Sequence, residues 1–352
     1  MARRGTATIK DVAREAGVGL GTVSRVINRH PQVAEALRAR VQAAIERLGY
    51  APDVAAQSLR AGKTRSFACV FRDLTVPVLA SFVDGMQRAL GAEGYGVFVA
   101  SSYHDPAHER ALVADFVARR VDGLVIATST ESDPGLLRLP AQARMPVVLV
   151  DRAVPEGLDS VRADHASGTR LAIGQMLGLG HRRIAMISGE PSVGATRERS
   201  RGFKEAHAAL GLAPDPALLR LGSFATRFGQ EQAEALLALR SPPTAFFAAG
   251  TALLPGLLRA LRARGLRVPQ DVSVVAGADS ELAEFHAPTI SVVRWDHGEL
   301  GAAAARFLLR RLEVPEMSPQ LHVAPTEFIA RASIAPPPGH RHGTVAGGGR
   351  AA

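Results

Sequence analysis

The sequence predicts an α/β protein: an all-α N-terminal helix-turn-helix headpiece joined to a two-lobed domain built on parallel sheets. Three observations predict it. After about residue 65, short β-branched or apolar runs alternate with longer segments of helical period. This βα alternation continues over more chain than one sheet normally uses, so two α/β subdomains are expected, with a ligand cleft between them. The first 65 residues have a helical pattern and a charge of their own. They hold twelve Lys and Arg against five Asp and Glu, which is +7 of the chain's net +9. A basic balance confined to one end is the electrostatic footprint of a polyanion-binding surface or, equally from charge alone, a solvated charged face.

Thr8 to Ala16 places Ile9, Val12, Ala13 and Ala16 on one side of a short helix, with Thr8 as N-cap and Asp11 at the favourable end of the helix dipole. Gly17 supplies a turn position tolerant of positive φ, and Val18 can plug the core. Helical spacing resumes from Leu20 to Asn28 through Val23, Val26 and Ile27. If this pair is a helix-turn-helix, the second helix enters a major groove with Leu20, Gly21, Thr22, Ser24 and Arg25 facing outward. Arg25 is the candidate for a bidentate guanine contact, because its planar fork matches the O6/N7 pair. A helical hairpin by itself is also ordinary packing.

A third helix, Ala34 to Leu48, turns Val41, Ala44, Ile45 and Leu48 to the first two and leaves Arg38, Arg40 and Arg47 able to reach phosphates. Pro52 to Arg60 carries a helix-start signal and closes at Gly62, in a segment too short to be stable alone. The predicted organisation is a headpiece over 1–50, a hinge helix and linker over 51–65, the two-lobed domain over 66–335, and a Pro/Gly/Ala-rich disordered tail over 336–352.

Strand candidates in the large domain are Phe67–Phe71, Val97–Ala100, Gly123–Ala127, Val147–Val150, Ile184–Ile187, Ala245–Ala248, Val272–Val275 and Ser291–Val293. Between them, Leu79, Phe82, Val83, Met86 and Leu90 share one helix face. The single cysteine, Cys69, falls inside an apolar run and reads as a buried, inert thiol. No signal peptide or transmembrane run is evident, so a cytoplasmic protein is expected.

With these elements placed, the sequence resembles the lactose-repressor (LacI/GalR) family of bacterial transcriptional regulators. The resemblance rests on Thr8-Ile9-Lys10-Asp11-Val12-Ala13, Ala16-Gly17-Val18, Thr22-Val23-Ser24-Arg25-Val26-Ile27-Asn28 and Leu48-Gly49-Tyr50-Ala51-Pro52, and it continues nearly to Ser333. It implies a homodimeric repressor on a pseudo-palindromic double-stranded DNA operator, with affinity modulated by a sugar-like small molecule or a derivative. The DNA-binding set becomes Thr8, Leu20, Gly21, Thr22, Ser24, Arg25 and Asn28, plus Ala56 and Leu59 in the hinge. Leu59 would wedge into the minor groove, exchanging unstacking for a kink that brings more protein onto the duplex. The resemblance also implies a periplasmic-binding-protein-like sensor that serves dimerisation, whose chain crosses between lobes near 163, 291 and 323.

Several positions depart from the family pattern. Gly19 stands where the family commonly has Ser, and Gly21 where relatives often present a base-reading side chain. Fewer direct base hydrogen bonds are therefore expected, with more dependence on Arg25, thymine-methyl contact and the hinge. The effector-binding set implied by the resemblance is Val76, Val78, Arg152, Arg199, Thr251, Asp279 and Trp295. Here Gly250-Thr251 replaces the family's Asn-Asp pair, Ala278 replaces an Asp beside Asp279, and Val76-Pro77-Val78-Leu79 replaces Asn-Pro-Phe-Phe. The pocket is expected to be less polar, and its ligand something other than an unmodified hexose. Arg199 suits hydroxyls, carboxylate or phosphate, and Trp295 can stack on a ring or simply belong to the core.

Other classes fit less well. His104-Asp105-Pro106-Ala107-His108-Glu109 superficially suggests a metal site, but Asp-Pro reads as a helix cap and first-turn proline. No catalytic triad can be inferred from residue order, so neither an enzyme nor a cofactor or metal is expected. A solute-binding receptor without a transcriptional role is the alternative, opposed by the attached basic module. Membrane binding is not expected, since the headpiece helices carry no exposed aromatic wedge.

Overall fold

The structure, a computed structural model, describes residues 7–27, 30–51, 64–131, 133, 135–152 and 157–338. It divides into two compact units, residues 1–64 and 65–352. In the first, helices α1 (Ile9–Ala16), α2 (Leu20–Ile27) and α3 (Glu35–Leu48) enclose Val12, Ala13, Ala16, Val23, Val26, Val41 and Ala44. Thr8 starts α1 with a capping box: its N–H donates to Asp11 Oδ2 at 3.0 Å, and the Asp11 N–H donates to Thr8 Oγ1 at 3.4 Å. Gly17, at φ 62°, ends α1 in the left-handed region, which lets the chain turn at once into α2. The expected hinge helix and the tail beyond 338 lie outside the described residues, as do Asn28, Ala56 and Leu59.

The second unit holds two sheets, each of six strands among the described residues. The first contains β1 (Ser66–Phe71), β2 (Gly96–Ser101), β3 (Gly123–Ile126), β4 (Val147–Val150), β5 (Asp159–Ala163) and β11 (Leu321–Ala324), in spatial order β11-β5-β4-β3-β1-β2 and entirely parallel. The second contains β6 (Ile184–Ser188), β7 (Leu219–Leu221), β8 (Ala245–Ala248), β9 (Ser273–Ala276), β10 (Ser291–Arg294) and β12 (Glu327–Ile329), in order β12-β10-β9-β8-β6-β7, with β12 antiparallel. The chain passes between sheets after β5, after β10 and between β11 and β12. The eight expected strands form, with ends shifted by a residue or so. The strands missed by sequence, β5, β7, β11 and β12, are short and carry polar residues at core-adjacent positions, so their apolar signal is weak.

Helices α4 (Val78–Ala92), α5 (Pro106–Ala118), α6 (Arg138–Gln142) and α12 (His297–Glu313) cover the first sheet, and α7 (His165–Gly178), α8 (Gly194–Ala208), α9 (Thr226–Leu237), α10 (Leu253–Ala263) and α11 (Glu281–Phe285) belong to the second. Strand alternation divides the first lobe's core. Phe67, Cys69 and Phe71 pack with Phe82, Met86 and Leu90 of α4, while Ala68 and Val70 face Val113 and Phe116 of α5. Cys69 is fully buried, which pushes its thiol pKa up and keeps it protonated. No helix among the described residues is long and apolar enough to cross a membrane.

Candidate functional site

In the headpiece, burial of Val23 and Val26 rotates the rest of α2 outward. Leu20 is 46% exposed, Gly21 and Arg25 are exposed, and Thr22 and Ser24 are half-buried. Arg25 Nε donates back to the Gly21 carbonyl at 3.2 Å, one turn earlier. Thr8 presents its hydroxyl at the start of α1, donating to Asp11 Oδ2 at 2.6 Å. The arginines expected to reach phosphates turn out to be tied into the headpiece. Arg40 Nη2 donates to the carbonyls of Ala16 and Gly17 at 2.7 and 3.3 Å, satisfying the C-terminus of α1. Arg47 pairs with Glu15 at 3.2 Å, and Arg38 donates to the His30 carbonyl at 3.2 Å.

In the second unit a cavity of about 350 Å³ opens where the C-terminal ends of the strands of both sheets face one another. Its walls come from the last residue of β1 (Phe71) and the segments that follow β1 (Arg72, Asp73), β4 (Asp151, Arg152), β8 (Gly250, Thr251) and β10 (Trp295, His297), together with Arg199 of α8 and Phe224 after β7. Parallel strands end with their backbone groups spent on neighbours, so the residues that follow are free to project into the crevice. Phe224 owes its place to missing side chains: a Cβ at Gly250 would sit 2.7 Å from its ring, and one at Gly189 only 2.0 Å. The sequence departure at Gly250 thus trades an amide for an aromatic wall.

Charge in the cavity is concentrated in arginines. Arg199 is 6% exposed and makes no hydrogen bond or ion pair among the described residues; its guanidinium lies over the Phe224 ring, 5.8 Å from the centroid. Arg152 is 4% exposed, donating from Nε to the Thr128 carbonyl and from Nη1 to the Asp151 carbonyl, both at 2.8 Å, while its Nη2 has no partner among the described residues. Burial pulls both guanidinium pKa values down to about 10, so each stays charged at neutral pH. Arg72 stacks on the same Phe224 ring at 5.4 Å.

Asp151 stands beside them. Burial works against its charge, yet His165, the Ala163 N–H and Arg199 hold its carboxyl well below the usual range. Burial, then Arg199, push the His165 pKa down, so a neutral imidazole donates from Nε2 to Asp151 Oδ1 at 3.0 Å. Trp295 is buried against His165, edge to face at 5.2 Å, and against His297 at 4.6 Å; its indole Nε1 has no partner among the described residues. Burial pushes the pKa of His297 down to about 4.

The lobes also touch directly across the cleft. Glu131, after β3, accepts from the Gly194 N–H that begins α8 and from Arg197 Nη2, each at 2.6 Å. It thereby caps a helix of the other lobe, whose own N-cap, Val193, has no side-chain acceptor. Arg72 reaches Glu190 at 3.9 Å across the same gap.

Of the residues assigned to the effector from sequence, the fold brings Val76, Val78, Arg152, Arg199, Thr251 and Trp295 to one cavity. Asp279 is the exception. It is not on the cavity wall; it accepts from Arg331 Nη2 at 2.8 Å and from the Ser280 N–H, bracing the second sheet, because the backbone after β9 turns Ala278 inward instead. Phe224, Arg72, Asp151, His104 and His297 were missed, since their signal is spatial; only the lost side chain at Gly250 hinted at Phe224. The run from His104 to Glu109 disperses: Asp105 caps α5, Glu109 is buried against Ser129 and Ser102, and His108 stacks on Tyr103.

Comparison with known proteins gives concordant matches. A model of the bacterial regulatory proteins of the lacI family matches residues 8–53, and one of a periplasmic binding protein-like domain matches residues 173–334. The HTH-type transcriptional repressor PurR of Haemophilus influenzae (strain PittEE) is 31% identical over 333 residues, covering 93% of this chain and 98% of the relative. Among solved structures, a complex of the transcriptional regulator CelR with cellobiose is 33% identical with a TM-score of 0.72, covering 93% of this chain and 99% of that one. A lac repressor dimer bound to operator and the anti-inducer ONPF is 26% identical with a TM-score of 0.83, covering 94% and 99%.

Proposed function

The chain belongs to the lacI family of bacterial regulatory proteins, and from that premise we propose that it is a repressor that binds a pseudo-palindromic DNA operator as a homodimer, with an affinity set by a small molecule in the cavity between its lobes. One observation carries this reading: a single chain holds a basic headpiece whose second helix turns Leu20, Gly21 and Arg25 outward, and a cavity spanned by contacts between two lobes. Arg25 supplies the guanine contact, Leu20 an apolar contact, and Thr8, Thr22, Ser24 and Asn28 hold the register, with Ala56 and Leu59 in the minor groove. The solved lac repressor dimer on its operator supports the two-fold arrangement.

Regulation is linkage between two binding equilibria. Glu131 with Arg197 and Arg72 with Glu190 define a closed arrangement of the lobes, and a ligand that contacts both lobes favours that arrangement by its differential affinity. Whichever arrangement holds the headpieces at operator spacing gains DNA affinity by the same factor. The test is selection from a random DNA pool with the full chain at roughly 50 and 200 mM salt. Enrichment of a two-fold-related site that survives the higher salt is expected. Weak, salt-labile binding without sequence preference would leave only a polyanion-binding surface and favour a solute receptor.

A further inference from the structure

Burial normally obliges a guanidinium to find acceptors, because taking the charge out of water without them is costly. Two arginines on the cavity wall lack them in part or entirely. Arg199 has an aromatic ring below it and no hydrogen bond among the described residues, and Arg152 points an unpartnered Nη2 from a side chain that is 4% exposed. Trp295 Nε1 is likewise a donor without a partner among the described residues, while Glu190 Oε2, 3.9 Å from Arg72, is an acceptor without a hydrogen bond there.

The two aspartates on the cavity wall are each engaged through Oδ1. Asp73 accepts from the Thr75 N–H and hydroxyl at 2.8 and 2.7 Å, and Asp151 accepts from His165 and the Ala163 N–H, each at 3.0 Å. Arg72 already has Glu190 within 3.9 Å. Gly250 and Ala278 offer no side-chain acceptor at all, and the Thr226 hydroxyl donates to the Ala252 carbonyl. An oxyanion brings acceptors and no protons of its own, and acceptors are what the Arg199 guanidinium and Arg152 Nη2 lack among the described residues.

Resting on the reading of this cavity as the effector site, we propose that it takes an anionic effector: a carboxylate or phosphate held by Arg199 and Arg152, with a planar or aliphatic body against Phe224 and Trp295. A charged acceptor completes both guanidiniums with charge-assisted hydrogen bonds, and the apolar wall accounts for the rest of the ligand. Because Arg199 belongs to the second lobe and Arg152 to the first, the anion bridges the lobes beside the Glu131 contact. The same group that satisfies the arginines therefore selects the closed arrangement.

Trp295 is the only tryptophan in the sequence, so its emission reports on this wall alone. The full chain is titrated at fixed ionic strength with benzoate, phenyl phosphate, benzyl alcohol and glucose. One of the two anions is expected to change the emission saturably and to bind at least about tenfold more tightly than either neutral probe. Which anion responds distinguishes carboxylate from phosphate recognition. Arg199→Met is expected to abolish that preference; should it fail to fold, the ranking in the unsubstituted chain decides alone. Equal or tighter binding of benzyl alcohol or glucose, or no saturable response to either anion up to roughly 50 mM, overturns the proposal. Operator selection without any ligand is scored separately, so an anion that binds without altering DNA affinity counts against the regulatory reading and not against this one.

Discussion

Arg25 in the headpiece and Arg199 in the second unit are both assigned to binding, yet the fold surrounds them in opposite ways. Arg25 lies in solvent on an eight-residue helix, its Nε resting on its own Gly21 carbonyl. Arg199 is buried on α8 with its charge over an aromatic face and no hydrogen-bond acceptor among the described residues. The first keeps its hydration until DNA arrives, and its affinity comes with phosphate neutralisation and a salt dependence. The second is largely shielded from bulk solvent before any ligand arrives, so acceptors brought by a ligand add stability to the folded chain. Salt, pH and substitution should therefore separate the two regions.

The largest effect is expected from pH at the buried end. His297, facing Asp151, His165, Asp296 and Arg199, titrates near 4 in the folded chain against 6.5 when free. The unfolded chain then binds more protons between these values, so its contribution is complete above about pH 6.5 and is lost as pH falls towards 4, on the order of 3 kcal/mol. Urea midpoints across that range should drop, and His297→Gln should flatten the profile. An unchanged slope in the variant would place the pH sensitivity elsewhere.

Next comes Arg25→Ala, expected to weaken binding to the selected operator by about 1–3 kcal/mol while changing binding to unrelated duplex far less. Fluorescence anisotropy on both duplexes checks this; equal losses would make Arg25 a phosphate contact. Gly250→Asn, which restores the family's amide, should clash with Phe224 and cost about 1–3 kcal/mol of stability. Combining it with Phe224→Ala should recover part of that loss in denaturant melts, and strict additivity would mean that the ring and residue 250 do not share the space. The smallest effect is at Gly21→Ala. A Cβ there meets only Arg25 Nη2 at 3.9 Å, so the headpiece should gain up to about 1 kcal/mol of helix stability, while base preference at the facing half-site positions shifts. Repeating the DNA selection with this variant measures the shift, and an identical site would remove Gly21 from the reading face.

Much of this was legible along the chain. The spacing of Val12, Ala16, Val23 and Val26 defined two helices and a turn, and the apolar runs located the central strands of both sheets. Arg199 and Trp295 stood out through the family resemblance. The edge strands β7 and β12 did not stand out, since three residues each give a period-2 pattern nothing to repeat. Charge along the chain marked Arg38, Arg40 and Arg47 as able to reach phosphates, whereas the contacts by which Arg40 closes α1 across 24 residues of sequence and Arg47 pairs with Glu15 were not legible there.

Sequence by itself therefore determined the headpiece, the alternation that makes two lobes, the family, and several cavity residues, because helix and strand periodicity are properties of near neighbours and motifs are contiguous. Tertiary structure alone decided that Phe224 fills the room left by Gly250, that Arg72 and Arg199 share one ring, that Asp279 serves Arg331, and that Glu131 caps a helix of the opposite lobe. The physical reason is that the cavity is assembled from strand ends running from Phe71 to His297. Burial and hydrogen-bond partnership there depend on which ends meet, and no local pattern encodes that.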